Sequence, residues 1–199
     1  MTVLVILGRP DQGSFSHAVA GTVVKALRDS SHDVIFHDLY REDFPPLLSS
    51  QEIARDVSLA PVIARHVAEV ADAEGIIVIH PNWWGQPPAI LKGWVDRVLR
   101  PGVAYEFSEG DSGEGVPNGL LRAKAALVFT TSNTPPEREQ AVFGDPLETL
   151  WRNCIWGLCG VSNFYRKNFG VIVISTLSQR QQWLKEAREI TNRYFPKAA

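Results

Sequence analysis

An apolar run, a loop with two adjacent tryptophans and an amphipathic helix follow one another without interruption between residues 75 and 99. Gly75-Ile76-Ile77-Val78-Ile79 is rich in β-branched residues and has no polar alternation, the pattern of a parallel strand covered on both faces. The loop is His80-Pro81-Asn82-Trp83-Trp84-Gly85-Gln86. Beyond it, Leu91, Trp94, Val95, Val98 and Leu99 recur at i, i+3, i+4, i+7 and i+8, one face of a helix packed on a sheet. Pro87 and Pro88 can stand only at the start of that helix, where the first N–H groups have no intrahelical acceptor anyway. Strand, loop and helix in this order make one unit of an open α/β sheet, which takes its ligands at the carboxyl ends of its strands. Core packing is the bland role for Trp83 and Trp84. Two such rings in so short a loop cannot both turn inward, which favours a wall for a flat aromatic ligand.

The rest of the chain repeats the unit. Val3-Leu4-Val5-Ile6-Leu7 is another apolar run, ending in Gly8-Arg9-Pro10-Asp11-Gln12-Gly13-Ser14, and Phe15, Val19, Val23, Ala26 and Leu27 then share a helical face. Ser14 and Ser16 fall at that helix's N-terminus, where free N–H groups bind anions, and Arg9 adds positive charge. A plain turn capped by Ser14 is the alternative. Gly8 and Gly13 do not form a G-x-G-x-x-G dinucleotide fingerprint. Asp33 to Leu39 reads as an edge strand, residues 40–57 as a long loop, and residues 58–72 as a helix with Ile63, Val67, Val70 and Ala71 inward. Residues 101–122, with five glycines, form an extended excursion. Ala125 to Phe129 is the fourth strand, followed by Thr130-Thr131-Ser132-Asn133-Thr134-Pro135-Pro136. Asp145-Pro146-Leu147-Glu148 predicts a capping box for a helix ending at Gly160. The fifth strand falls within residues 163–175, its apolar end being Val171 to Ile174, and Ser178 with Gln181 predicts the cap of the last helix.

The expected architecture is therefore a single α/β domain over residues 1–199, doubly wound, with a five-stranded parallel sheet of order 2-1-3-4-5 and helices on both faces. In that order the loops after strands one, three and four meet at the switch point. A chain of 199 residues, 45% hydrophobic, is long enough for one well-buried core. A net charge of -2 and a pI near 6.2 supply no basic field, so nucleic acid and anionic membranes are not expected partners. No apolar run approaches the roughly 20 residues of a spanning helix, and no signal peptide precedes the first strand, so the expected location is cytoplasmic. Cys154 and Cys159 point to different helix faces, and His17, His32, His37 and His66 show no ligand spacing; neither disulfide nor metal is expected.

The segment from His80 to Val98 resembles the flavin-binding strand and helix of NAD(P)H:quinone oxidoreductases of the flavodoxin-like fold. In that family Trp, a second aromatic, Gly, one residue, Pro, Ala, an aliphatic, Leu-Lys-Gly and an aromatic recur at this place. Gly13-Ser14-Phe15-Ser16 is similar to the family's phosphate loop and Thr130-Thr131 to its third flavin loop, and the likeness runs through Gly144-Asp145, Cys159-Gly160 and the final helix. The resemblance implies that Trp83, Trp84 and Gly85, with Pro81 and Asn82 beside them, line the flavin ring. It implies that Ser14, Phe15 and Ser16, with Arg9, hold the phosphate end, and that Thr130, Thr131, Ser132 and Asn133 meet the ring near N1 and O2. Preorganised amide dipoles of this kind suit the negative charge of a reduced ring.

Two departures bear on chemistry. Counting between Thr131 and Gly144 without gaps puts Glu137 and Phe143 where these reductases carry a Tyr and a His that relay protons; Phe143 has no proton to give. Glu137 and His80 remain as candidate catalytic groups, His80 with an equally good structural role. The resemblance implies an oxidoreductase that passes hydride from NAD(P)H through a bound flavin, FMN or FAD, to a quinone-like acceptor in ping-pong fashion, working as a homodimer. Two other classes share the fold: an electron-carrier flavodoxin, and an ancillary flavoprotein that regulates a potassium efflux transporter.

Overall fold

The computed structural model describes residues 1–55, 57–111 and 113–197. Position 56 of the long loop, position 112 of the glycine-rich excursion and positions 198–199 at the end of the expected domain lie outside the described residues. The main sheet comprises β1 (Thr2–Leu7), β2 (Asp33–Asp38), β3 (Gly75–Pro81), β6 (Ala126–Thr131) and β7 (Phe164–Phe169), all parallel, in the order β2-β1-β3-β6-β7. The order differs in number from 2-1-3-4-5 because the excursion contributes two short antiparallel strands, β4 (Tyr105–Glu106) and β5 (Asn118–Gly119).

Period-two alternation divides the core between the two faces of the sheet. Val3, Val5, Leu7, Ile77, Ile79, Leu127 and Phe129 turn toward α1 (Phe15–Asp29) and α6 (Leu177–Tyr194). Leu4, Ile6, Ile76, Val78, Ala126 and Val128 turn toward α2 (Pro61–Asp72), α3 (Ala89–Val98) and the segment around Trp151 and Trp156. Every residue of β3 is buried, as its unbroken apolar run requires. Pro88 is the N-cap of α3, and Leu91, Trp94 and Val98 are buried on the expected face. Gly93 on that helix is fixed by a crossing chain: a Cβ there would lie 2.2 Å from the carbonyl oxygen of Pro46. The long loop is thus pinned across α3, with Phe44 in the core and the buried Glu52 paired with Arg97.

Three expectations are corrected. β7 is the polar stretch ending at Phe169, and Val171 to Ile174 lies beyond it, with Val173 and Ile174 exposed. An edge strand tolerates Arg166, Lys167 and Asn168 because each finds a partner: Asp145 and Glu148, Glu186, and Thr130 respectively. The helix after Asp145 is α5 (Pro146–Thr149) running into a π-helical segment, Leu150–Gly157, and a further helix, α4 (Pro136–Phe143), precedes it. Asp145 stands at the N-cap position without a side-chain cap bond, its carboxylate being taken by Arg166. The capping box of α6 is Thr176 with Gln179, two residues before the expected pair.

Candidate functional site

β1, β3 and β6 are neighbours in the sheet, so the loops at their carboxyl ends converge, as Leu7↔Ile79 and Pro81↔Thr131 register shows. They enclose a cavity of about 690 Å³. Its wall holds Arg9, Ser14, Phe15 and Ser16 from the first loop, Pro81, Asn82, Trp83, Trp84 and Gly85 from the second, and Thr131, Ser132 and Asn133 from the third. A volume of this size suits a bound cofactor or large organic ligand.

One end of the cavity is built for an anion. Ser14 caps α1, its Oγ accepting from the His17 backbone N–H over 3.4 Å. Ser16 Oγ lies 3.1 Å from Thr131 Oγ1, joining the first loop to the third. The Arg9 guanidinium stands 5.6 Å from the centroid of Trp83 and 3.8 Å from Asp11, yet its Nε–H is buried without a partner. A helix N-terminus of fifteen residues and an unpaired guanidinium N–H together offer what a phosphate takes.

Beside the Arg9 guanidinium the wall is the tryptophan turn. Trp83 N–H donates to the Gln86 carbonyl and Gln86 N–H to the Trp83 carbonyl, each over 3.0 Å, so Trp84 and Gly85 form a two-residue hairpin turn. Such turns need positive φ at both central residues. Trp84 has φ 57° and Gly85 71°. At Gly85 a Cβ would also sit 2.8 Å from Pro146 Cγ. Holding a bulky residue in the left-handed region costs about 1–2 kcal/mol, which the surrounding bonds must offset. Asn82 supplies them: its N–H reaches the Thr131 carbonyl at 2.7 Å, its Oδ1 accepts from Gly85 N–H at 3.0 Å, and its Nδ2 donates to Glu139 Oε1 at 3.0 Å. Neither ring is in the core. Trp84 is fully exposed and Trp83 39% exposed, so the turn presents aromatic surface instead of burying it.

Thr130 is not on the wall. It is completely buried, its hydroxyl donating to Asn168 Oδ1 at 3.0 Å and accepting from Arg166 Nη1 at 3.2 Å. Neither candidate catalytic group faces the cavity. Glu137 is exposed on the outside of α4. His80 is sealed in the core, its Nδ1–H donating to the Pro81 carbonyl at 2.8 Å and its Nε2 accepting from Trp151 Nε1–H at 3.0 Å; burial pushes its pKa down to about 4. Sequence reasoning missed Thr134, Glu139, Pro146 and Ile172 on the wall, while Phe143, placed by it where the reductases carry a His, lies there too. Pro135-Pro136 was the available signal for α4, since proline is favoured at a first helical turn, and α4 is what swings Glu139 inward.

A second cluster escaped sequence spacing. Ligand atoms of His37, Glu42 and His66 lie within 4.8 Å of one another. Trp94 Nε1–H donates to His66 Nδ1 at 3.1 Å, which places the proton of the neutral ring on Nε2, 3.6 Å from Glu42 Oε2. That nitrogen therefore faces Glu42 as a donor and has no lone pair to offer a metal. Burial, with His37 and Arg65 close by, lowers the pKa of His66 to about 3. His37 bridges Glu42 at 2.9 Å and Glu69 at 2.6 Å. The cluster fastens β2 and the start of the long loop to α2 and α3.

A five-stranded parallel sheet with its cavity at the β1/β3 switch point defines a flavodoxin-like α/β protein. The family model of the flavodoxin-like fold matches residues 1–191, and the chain belongs to that family, among its quinone-reductase-like members. An uncharacterised NAD(P)H oxidoreductase of Haemophilus influenzae is 31% identical over 196 residues, covering 96% of this chain and 94% of that protein. The rat NAD(P)H dehydrogenase [quinone] 1 is 29% identical over 79% of this chain, which spans 64% of that protein's length. Among solved structures, Smu.1420 of Streptococcus mutans superposes with a TM-score of 0.81 at 29% identity, over 97% of this chain and 100% of that one. An NAD(P)H:quinone oxidoreductase from Methanothermobacter marburgensis does so with 0.80 at 25% identity, over 97% and 96%. The residues present fit a flavin: an aromatic wall, the polar residues Thr131, Ser132 and Asn133 at the third loop, and an orphaned Arg9 N–H beside a helix N-terminus for the phosphate.

Proposed function

We propose that the chain is a flavin-dependent NAD(P)H oxidoreductase with a quinone-like acceptor, using one cavity for donor and acceptor in turn. When bound, the flavin accepts hydride from the nicotinamide and returns the electron pair to the acceptor. The observation that carries the reading is that the tryptophan turn and the anion end of α1 line one cavity of about 690 Å³. Arg9, Ser14 and Ser16 hold the phosphate; Pro81, Asn82, Gly85, Thr131, Ser132 and Asn133 orient the ring; Trp83 and Trp84 give flat substrates a face. A single domain in the cytoplasm accommodates this role, and among the described residues no helix is long and apolar enough to cross a membrane.

The same chain works as a homodimer. Phe143 and Trp84 are exposed apolar residues of the cavity wall, Val142, Val173 and Ile174 are exposed within two residues of wall residues Phe143 and Ile172, and a second copy covering this surface would close the cavity. Light scattering of the flavin-loaded protein at micromolar concentration tests this, a monomer contradicting it. The activity is tested by anaerobic addition of NADPH or NADH to the yellow protein, which should bleach it, and of a quinone, which should restore the colour. Failure of both nucleotides overturns the reading.

A second reading rests on the same wall. Phe143 contributes a hydrocarbon ring where a proton-donating side chain is expected, which leaves room for an ancillary flavoprotein acting on a transporter. Rapid quinone turnover by the purified protein separates the two.

A further inference from the structure

Reducing a carbonyl acceptor needs a proton as well as an electron pair, and the cavity wall has few groups that exchange one. Among the described residues lining it, only Arg9 and Glu139 carry ionisable side chains, and a guanidinium does not release its proton near neutrality. Glu139 is 7% exposed, and no Lys or Arg among the described residues pairs with it. Its one side-chain bond is the 3.0 Å bond from Asn82 Nδ2 to Oε1. Glu137 is outside, Phe143 has no proton, and both ring nitrogens of His80 are occupied by Pro81 and Trp151.

We propose that Glu139 is the proton donor of this cavity, coupling each electron pair delivered to the acceptor with one proton. The inference rests on the oxidoreductase reading above. The balance for a quinone is donor NAD(P)H plus one proton plus quinone giving NAD(P)+ plus hydroquinone. The donor's C–H bond breaks and supplies two electrons with one hydrogen. The second O–H bond of the product forms as the Glu139 O–H bond breaks, leaving a carboxylate on the Asn82 amide that regains its proton from water.

The surroundings favour this cycle. An electron pair entering a partly enclosed cavity brings negative charge, which a proton delivered from the wall neutralises. The charges facing Glu139 are few. Arg9 shares the cavity from the first loop, Arg138 on the same helix lies 5.9 Å over Phe143, and Asp145, whose N–H donates to the Glu139 carbonyl at 3.2 Å, is paired to Arg166. Asn82 gives Glu139 a second effect: the amide that holds the carboxylate also accepts from Gly85, so the proton donor and the aromatic turn share one anchor.

The test uses the flavin-loaded wild type and Glu139→Gln, compared first for bound flavin by absorbance. Protons taken up during anaerobic reduction are counted with an indicator dye in weak buffer. The wild type should take up more protons per flavin than Glu139→Gln near neutral pH. Quinone turnover should fall by about 100-fold or more, the range of a positioned general acid. In Glu139→Ala, added formate should restore turnover at least tenfold, a rescue that a merely structural carboxylate would not show. Equal proton uptake and turnover within threefold of the wild type overturn the role of Glu139 alone. A wild type that neither nucleotide reduces overturns the oxidoreductase reading, and the proton role with it.

Discussion

Trp151 Nε1–H donates to His80 Nε2 over 3.0 Å in a region where both side chains are wholly buried. The other ring nitrogen of His80 donates to the carbonyl of Pro81, the last residue of β3. His80 is thereby a neutral strut between the π-helical segment and the floor of the cavity. Replacing Trp151 by Phe leaves a buried acceptor unpaired, which costs about 1–3 kcal/mol. The melting temperature should fall by roughly 2–12 °C, and calorimetry of the variant checks it. An unchanged transition would mean that the bond contributes nothing to the fold.

Acid should weaken the fold through the two histidines held neutral. His80 and His66 have folded pKa values near 4 and 3, against 6.5 for an ordinary histidine. Below pH 6.5 the unfolded chain binds protons that these buried rings refuse. Stability is therefore lost as pH falls from about 6.5 toward the folded values, and the loss levels off below them. By pH 4.5 the penalty is about 2–3 kcal/mol for each ring. Denaturant midpoints from pH 7.5 to 4.5 should decline for the wild type, and His66→Phe should show a shallower decline. Parallel slopes would contradict the assignment.

Arg9 should act on the phosphate and not on the ring. Its buried Nε–H has no partner in the protein, so a phosphate would supply the missing acceptor. Arg9→Ala should weaken FMN binding by about ten- to a hundredfold, a loss of 1.5–3 kcal/mol, and leave riboflavin binding nearly unchanged. Fluorescence titrations of the apoprotein with both compounds distinguish the cases. Equal weakening of both would place Arg9 against the ring.

Trp84 carries strain that the fold alone does not need. Its φ of 57° favours Asn or Gly, and its side chain is fully exposed, so Trp84→Asn gives up little packing. The variant should be more stable by about 1 kcal/mol, a rise of roughly 2–4 °C, while its KM for quinone increases. A variant that is less stable and kinetically unchanged would show that the indole serves the fold.

These predictions fall on features of uneven visibility in the sequence. The apolar runs of β1, β3 and β6 and the stripe of α3 declared themselves, because burial on both faces leaves no other composition for a strand. β7 did not: its polar residues are paid for by partners more than ten residues away, Glu148 and Glu186 among them, which no local pattern shows. The capping box at Asp145 was misread for the same reason, since Arg166 claims the carboxylate that a local rule assigns to the helix. At the site, twelve of the thirteen expected wall residues lie on the cavity, because loops after adjacent strands must meet. Glu139 was hidden because its inward turn depends on the placement of α4, and Thr130 was misplaced because alternation along β6 turns it toward Asn168.

The central claim is that this cavity binds a flavin and exchanges electrons through it. Its most direct test is the visible spectrum of the purified protein under argon. Absorbance of the bound flavin should collapse on addition of one equivalent of NADPH or NADH and return on addition of a quinone. A bound flavin that keeps its oxidised spectrum with excess of both nucleotides would contradict it.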